Sequence, residues 1–293
     1  VTPTGSSLPR RMLGRHLREL RERSGVSAEF ARDVIGVGKQ TLWRMETGQP
    51  MRLNPLFIEK LCEVYGASEH VTQTLLELTN ETRKTGWWHA LDDTVPRDFC
   101  LFAGLESTAK RLISYQPTLL PALLQTDEYR RALIWNDYPT MPGAEVERRI
   151  SVFGRRKVRL DNDPATFSVE AVIDECALRR AIGGPSVMAD QLIHLVALGE
   201  RKNVSIRVIP LEVEAHSGLR AGPFAILEFP KHPTPHLSDP PIVHIQGLTG
   251  DLYLEKTEEI RQYRQAYADI ERSVLDESQS RALLQRLARQ YGA

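Results

Sequence analysis

Residues 27–48 read SAEFARDVIGVGKQTLWRMETG, and this stretch decides the fold of the first part of the chain. Ser27 is a good helix N-cap. Phe30, Ala31 and Val34 follow at helical spacing, so a short amphipathic helix is predicted. Gly36-Val37-Gly38 breaks that helix, because glycine adopts backbone angles that side chains disfavour. A second helix is predicted from Lys39 to Thr47. Its apolar residues Leu42 and Met45 share one face, while Lys39, Gln40, Trp43 and Arg44 occupy another. Two short helices around a glycine turn form a helix-turn-helix, whose second helix fits the DNA major groove.

The flanks extend the pattern. Upstream, Leu13, Leu17 and Leu20 lie on one face of a helix over 13–23. Downstream, Phe57, Ile58, Leu61 and Val64 mark a helix over 54–65. Val71, Leu75, Leu76 and Leu78 mark another over 68–81. Five short helices with the turn between the second and third resemble the Xre family and the lambdoid phage repressors. The residues that carry the resemblance are Arg21, Gly25, Ala31, Gly36-Val37, Leu42 and Met45-Glu46-x-Gly48.

That resemblance assigns roles. Lys39, Gln40 and Arg44 occupy the base-reading positions, and their chemistry agrees. Glutamine bonds adenine, and arginine or lysine bonds guanine, through the major-groove edge. Thr41 is placed to touch a phosphate or a thymine methyl, while Trp43 either packs on sugar or covers the fourth helix. Arg21 and Glu46 match a family pair that orients the reading helix. Ala28 stands where a phosphate-binding polar residue is frequent, which leaves that contact to Ser27 or its backbone amides.

The formal net charge is zero, but it is unevenly spread. Residues 1–52 carry ten Lys/Arg against five Asp/Glu, and residues 53–86 carry three against five. The basic end coincides with the reading helices, as a phosphate-binding face requires. Arg10, Arg11 and Arg15 are accordingly expected to contact the DNA backbone, and residues 1–10, VTPTGSSLPR, to form a mobile arm. The three cysteines are far apart and have no metal-ligand spacing. Neither a transmembrane run nor a signal-peptide pattern is visible, so a cytoplasmic protein is expected.

The helical domain is predicted to end at residue 86, and a second domain to occupy 87–293. The adjacent Trp87 and Trp88 read as anchors against the second domain's core, with base stacking as the alternative. A helix is predicted over 99–115, stopped by Pro117 and Pro121. Others are predicted from Thr126 to Trp135 and, richly basic, from Glu145 to Leu160. The period then changes. Strands are predicted at 167–173, 204–210, 224–229, 242–246 and 251–254, with helices over 177–182 and 187–199 among them. Two helices close the chain, over 257–274 and 278–291. The predicted class is therefore an all-α five-helix domain followed by an α+β, or mixed α/β, domain of about five strands.

Several stretches of this second domain carry a resemblance of their own. LLPALLQTDEYRRALI, DECALRRAIGGPSVMADQLIHL, SIRVIPLEVEAHSGLRAGPFAILEF and GLTGDLYLE are similar to the C-terminal domain of actinobacterial Xre-family regulators of the WhiJ type. Those are antitoxin-like transcriptional regulators that act with a small protein encoded nearby. The resemblance implies such a partner, and because a lone reader of this size meets few bases, a homodimer on a two-fold related double-stranded DNA operator is expected. Ala122 and Gln246 depart from the family's usual glycine and glutamate.

Catalysis has little support. Asp174-Glu175 follows a strand and Glu170 lies within it, but a carboxylate pair opening a helix ordinarily complements the helix dipole. The catalytic and nucleotide-binding motifs H-E-x-x-H, G-x-S-x-G, the P-loop and G-x-G-x-x-G do not occur. No catalytic residue, metal site or cofactor is predicted, and a metal-dependent hydrolase or nuclease stands as a remote alternative. Arg155-Arg156-Lys157 reads as a solvated or ion-paired helix face, with anion sensing as the alternative. A small-molecule pocket beside the sheet, near Trp135, Phe224 and His216, competes with partner binding. Finally, Ile260, Tyr263, Tyr267, Ile270 and Val274 form a helical stripe that must be buried, against the domain's own sheet or at a dimer seam.

Overall fold

The computed structural model describes residues 8–49, 51–82, 97–161, 164–231 and 238–292. The chain divides into two compact units, Val1–Thr108 with Lys231–Asp239, and Ala109–Pro230 with Pro240–Ala293. The expected boundary at residue 86 and the Trp87-Trp88 pair lie outside the described residues.

The first unit contains α1 (Leu8–Ser24), α2 (Ala28–Val34), α3 (Lys39–Glu46), α4 (Pro55–Val64), α5 (Glu69–Glu81) and α6 (Arg97–Thr108). Ser27, Asn54 and Ser68 cap α2, α4 and α5 by accepting backbone N–H groups at 3.1, 3.1 and 3.4 Å. Leu13 and Leu17 of α1 meet Ala31, Leu42, Met45, Ile58, Leu61 and Leu75 in one core. Phe30 does not join them: it is 57% exposed, and from α2 Ala31 is buried in the core with Val34 packed partly buried against it. Helix α1 begins at Leu8, five residues earlier than the leucine spacing predicts. Pro9 permits this because the first turn needs no N–H from it. Residues 8–10 are thus helical, and the rest of the expected arm lies outside the described residues.

The second unit is built on a six-stranded mixed sheet ordered β3-β2-β1-β4-β5-β6. Its strands are β1 (Arg111–Gln116), β2 (Ser168–Asp174), β3 (Val204–Ile209), β4 (Phe224–Glu228), β5 (Ile242–Ile245) and β6 (Leu252–Leu254). The first three run parallel, and β4, β5 and β6 continue antiparallel from β1. Helices α7 (Asp127–Asp137) and α8 (Gly143–Lys157) connect β1 to β2, and α9 (Glu175–Leu178) and α10 (Pro185–Leu198) connect β2 to β3. The short α11 (Gly218–Ala221) lies between β3 and β4, and α12 (Thr257–Glu271) and α13 (Glu277–Gln290) follow β6.

The helix expected over 99–115 is corrected here: it ends at Thr108, and after two residues Arg111–Gln116 forms β1, the third strand of the sheet. Leu112 through Tyr115 are all buried, so the strand shows no alternation to betray it. The stripe on α12 is used within the unit. Ile260, Tyr267 and Ile270 pack with Ile113, Tyr115, Phe224 and Val243 over the sheet, which removes these three side chains from any dimer seam. The outer edge of β3 is closed as well. The Leu275 N–H donates to the Val208 carbonyl at 2.9 Å, and the Val208 N–H donates to the Ser280 hydroxyl at 3.0 Å.

Candidate nucleic-acid interface

Helix α3 is short, so its outward face depends on how firmly its backbone is held. Leu42 and Met45 enter the core, and Lys39, Gln40, Trp43 and Arg44 are exposed, with Thr41 half-buried. At the turn, Gly36 has φ +65°, in the left-handed region that glycine tolerates. Gly38, with ordinary backbone angles, then starts the helix. Trp43 is 55% exposed.

Three contacts fix α3 against α1. The Arg21 guanidinium donates to both Glu46 carboxylate oxygens, at 2.6 and 2.9 Å, with both side chains largely buried. That hydrogen bonding raises the Arg21 pKa, so the guanidinium stays charged. The other two contacts are backbone on backbone. A Cβ at Gly48 would lie 2.6 Å from the Arg11 Cα, and one at Gly14 would lie 2.8 Å from the Gly48 nitrogen. Gly14 went unnoticed in the sequence, although a glycine inside a predicted helix signals close packing.

The residues expected to contact phosphate divide differently. Ser27 accepts the Phe30 N–H and remains exposed at the start of α2. Arg11 is half-buried. Arg10 is corrected: only 4% exposed, it points to the Thr82 carbonyl at 3.4 Å, and burial lowers its pKa. It lies on the face of Leu13 and Leu17, three and seven residues on, a spacing that carries the inward signal. Arg15 is corrected too, because it donates at 2.9 Å to Asp239, whose side chain is 3% exposed. Burial outweighs the nearby arginines and pushes the Asp239 carboxyl up to about 6. Arg18 and Arg23 are solvated and paired along α1 with Glu22 and Glu19.

A helix-turn-helix domain matches residues 12–75, which takes in α2, α3, Gly14 and the Arg21–Glu46 pair but not Arg10 or Arg11. A second match, to a domain of unknown function, DUF5753, covers residues 99–286. The chain belongs to the DUF5753 family. No curated protein and no solved structure matches it. The chain is thus a helix-turn-helix protein whose larger part is a DUF5753 domain, and the helix-turn-helix supports a DNA-binding regulator.

Within the DUF5753 domain the carboxylates have structural partners. Asp174 caps α9 by accepting the Cys176 N–H at 2.9 Å. Glu175 pairs with Arg179 at 2.6 Å and accepts the Leu211 N–H at 3.0 Å. Of the basic cluster, Arg156 is buried and lies 5.4 Å from the Phe153 ring, while Lys157 pairs with Asp127. The expected pocket is only partly assembled. His216 and Phe224 each stand 6.0 Å from the Tyr115 ring, but Trp135 is 43% exposed on α7, donating to the Met141 carbonyl. Among the described residues, no group of three or more His, Cys, Asp or Glu side chains is placed to hold a metal ion. No described helix is long and apolar enough to cross a membrane.

Proposed function

We propose that this chain is a sequence-specific transcriptional regulator in which α3 reads base edges through Lys39, Gln40 and Arg44. The observation that carries the reading is the clamp behind that face. The Arg21–Glu46 pair and the Gly14/Gly48 approach hold the short helix at fixed height and angle, and its exposed side bears glutamine and basic side chains. Base readout needs such fixity, because bidentate contacts are lost with small displacements. Thr41, Trp43, Ser27 and Arg11 flank these side chains and supply backbone contacts.

One reader of this size meets few bases, so useful specificity requires two copies on a two-fold related double-stranded operator. A homodimer meets that need. The DUF5753 domain is the regulatory part, and it takes a small protein encoded nearby, as the resemblance to WhiJ-type regulators implies. Selection of binding sites from random duplexes with the full chain tests the reading. A palindromic consensus with half-sites about one helical turn apart is the expected result. Recovery of no consensus overturns it. Co-purification with the neighbouring small protein tests the partner, and failure of the two to associate removes it.

A further inference from the structure

The sheet of the DUF5753 domain changes direction at β1, with β2 parallel on one side and β4 antiparallel on the other. In open α/β sheets, ligands bind outside the carboxyl ends of parallel strands, where the connections part. Here that place is roofed by the segment between β3 and β4, which carries His216 and α11. Beneath the roof, the Tyr115 hydroxyl and the His216 Nδ1 are both buried and neither has a hydrogen-bond partner. The opposite ring nitrogen of His216, Nε2, faces the Asp174 carboxylate at 3.7 Å. Burial first, and then the charge of Asp174, raises the Tyr115 pKa, so the phenol stays protonated and able to donate. Two orphaned polar atoms on rings whose centroids lie 6.0 Å apart call for an occupant that both accepts and donates, since a buried polar group left unpaired is costly.

The roof itself is thin. Gly218 of α11 lies directly on Tyr115: a Cβ there would fall 2.6 Å from the hydroxyl oxygen. Beyond α11 opens a groove of about 450 Å³, lined in part by Ser217, Arg220, Arg261, Gln262 and Gln265. Arg261 is held by Glu258, whereas Arg220 is exposed and its side chain has no partner among the described residues. One wall of the groove is therefore a four-residue helix ended by Gly222 at φ +67°, with an uncommitted guanidinium on it and two orphaned polar atoms behind it.

We propose that this crevice binds a small hydroxyl-bearing phosphate ester. The phosphate sits on Arg220 in the groove. A ligand hydroxyl reaches under α11, accepts from the Tyr115 hydroxyl and donates to the His216 Nδ1. Guanidinium suits a phosphate because its donors match the anion in pairs. A hydroxyl is the simplest group that accepts from a phenol while it bonds a ring nitrogen of an imidazole. A single buried water would also satisfy both atoms, but it would leave Arg220 without a role.

Titration calorimetry of the full chain with ribose 5-phosphate, adenosine 5′-monophosphate and inorganic phosphate tests the site. Both esters are expected to bind, and inorganic phosphate at least tenfold more weakly. Tyr115→Phe keeps the ring and removes the hydroxyl, and Arg220→Ala changes an exposed position, so both variants should fold. Each is expected to weaken ester binding at least tenfold. If neither ester binds, or if inorganic phosphate binds as tightly as the esters, the proposal is overturned. Parental ester affinity in Tyr115→Phe also overturns it and leaves the buried pair to a water. None of these measurements involves DNA, so their outcome is independent of the reading of α3.

Discussion

The Arg21 guanidinium grips the Glu46 carboxylate with two hydrogen bonds, 2.6 and 2.9 Å long, across 25 residues of chain. The pair joins α1 to the last residue of α3, so in the proposed readout its effect is on the pose of that helix. Removing one partner leaves a largely buried charge unmatched, which costs about 3–5 kcal/mol when burial is complete and less here. Glu46→Ala is expected to lower stability by about 2–3 kcal/mol and to weaken operator binding even where the protein is still folded. Urea denaturation paired with operator titration checks this. Unchanged affinity in a folded Glu46→Ala would show that α3 holds its pose without the pair.

Gln40→Ala and Arg44→Ala are expected to relax base preference, each costing about 1–3 kcal/mol on the best site with little effect on random DNA. Site selection with each variant reads this directly. The parental consensus recovered at parental affinity would remove α3 from base recognition.

Two glycines with almost the same backbone angle should respond differently to alanine. Gly36 and Gly48 have φ +65° and +64°, but an added Cβ meets nothing within 4 Å at Gly36 and lies 2.6 Å from the Arg11 Cα at Gly48. Gly36→Ala should therefore cost only the left-handed strain, about 1–2 kcal/mol. Gly48→Ala must also separate α1 from the end of α3. It is expected to cost about 3 kcal/mol or more, as overpacking adds to strain. Equal melting temperatures for the two variants would contradict the close helix contact.

The reader was legible because its signals are local: a cap at Ser27, a glycine turn, and a helix with Leu42 and Met45 on one side. What escaped was non-local or unpatterned. Helical spacing from Leu101 runs on through Ala109 and Leu112, and only the sheet reveals that 111–116 is a strand buried along its length. Arg15 reads as a phosphate contact until Asp239, 224 residues away, is placed beside it. The occupants of the Tyr115 crevice were half visible. His216 and Phe224 were singled out, but their meeting point depends on the pairing of Tyr115 with Phe224 across β1 and β4.

Asp239 should give the protein an inverted pH response. Its carboxyl titrates at about 6 when folded, above the usual 3.8, because burial disfavours its charge. Between those values the folded state holds more proton than the unfolded state, so stability contributed here is present below pH 4 and falls as pH rises toward 6. Asp239→Asn removes the effect. It should be more stable than the parent at pH 7, by up to about 3 kcal/mol, and the two should converge near pH 4. A variant that loses stability at pH 7 would show that the Arg15 ion pair outweighs burial.

Tyr267 offers the sharpest test of how α12 is used. Its ring is buried over the sheet, and its hydroxyl accepts from Arg207 at 3.2 Å while Arg207 also pairs with Glu271. Tyr267→Asp would put a carboxylate into the core of Ile113, Phe224 and Val243 and remove a large apolar surface. An aromatic deleted from a core costs about 3–5 kcal/mol before the charge is counted. The whole DUF5753 domain should therefore lose cooperative unfolding, seen as loss of near-ultraviolet dichroism and a broadened melt. Tyr267→Phe keeps the ring and should cost only about 1 kcal/mol. A folded Tyr267→Asp that sediments as a monomer, where the parent sediments as a dimer, would move this residue from the core to an interface between copies.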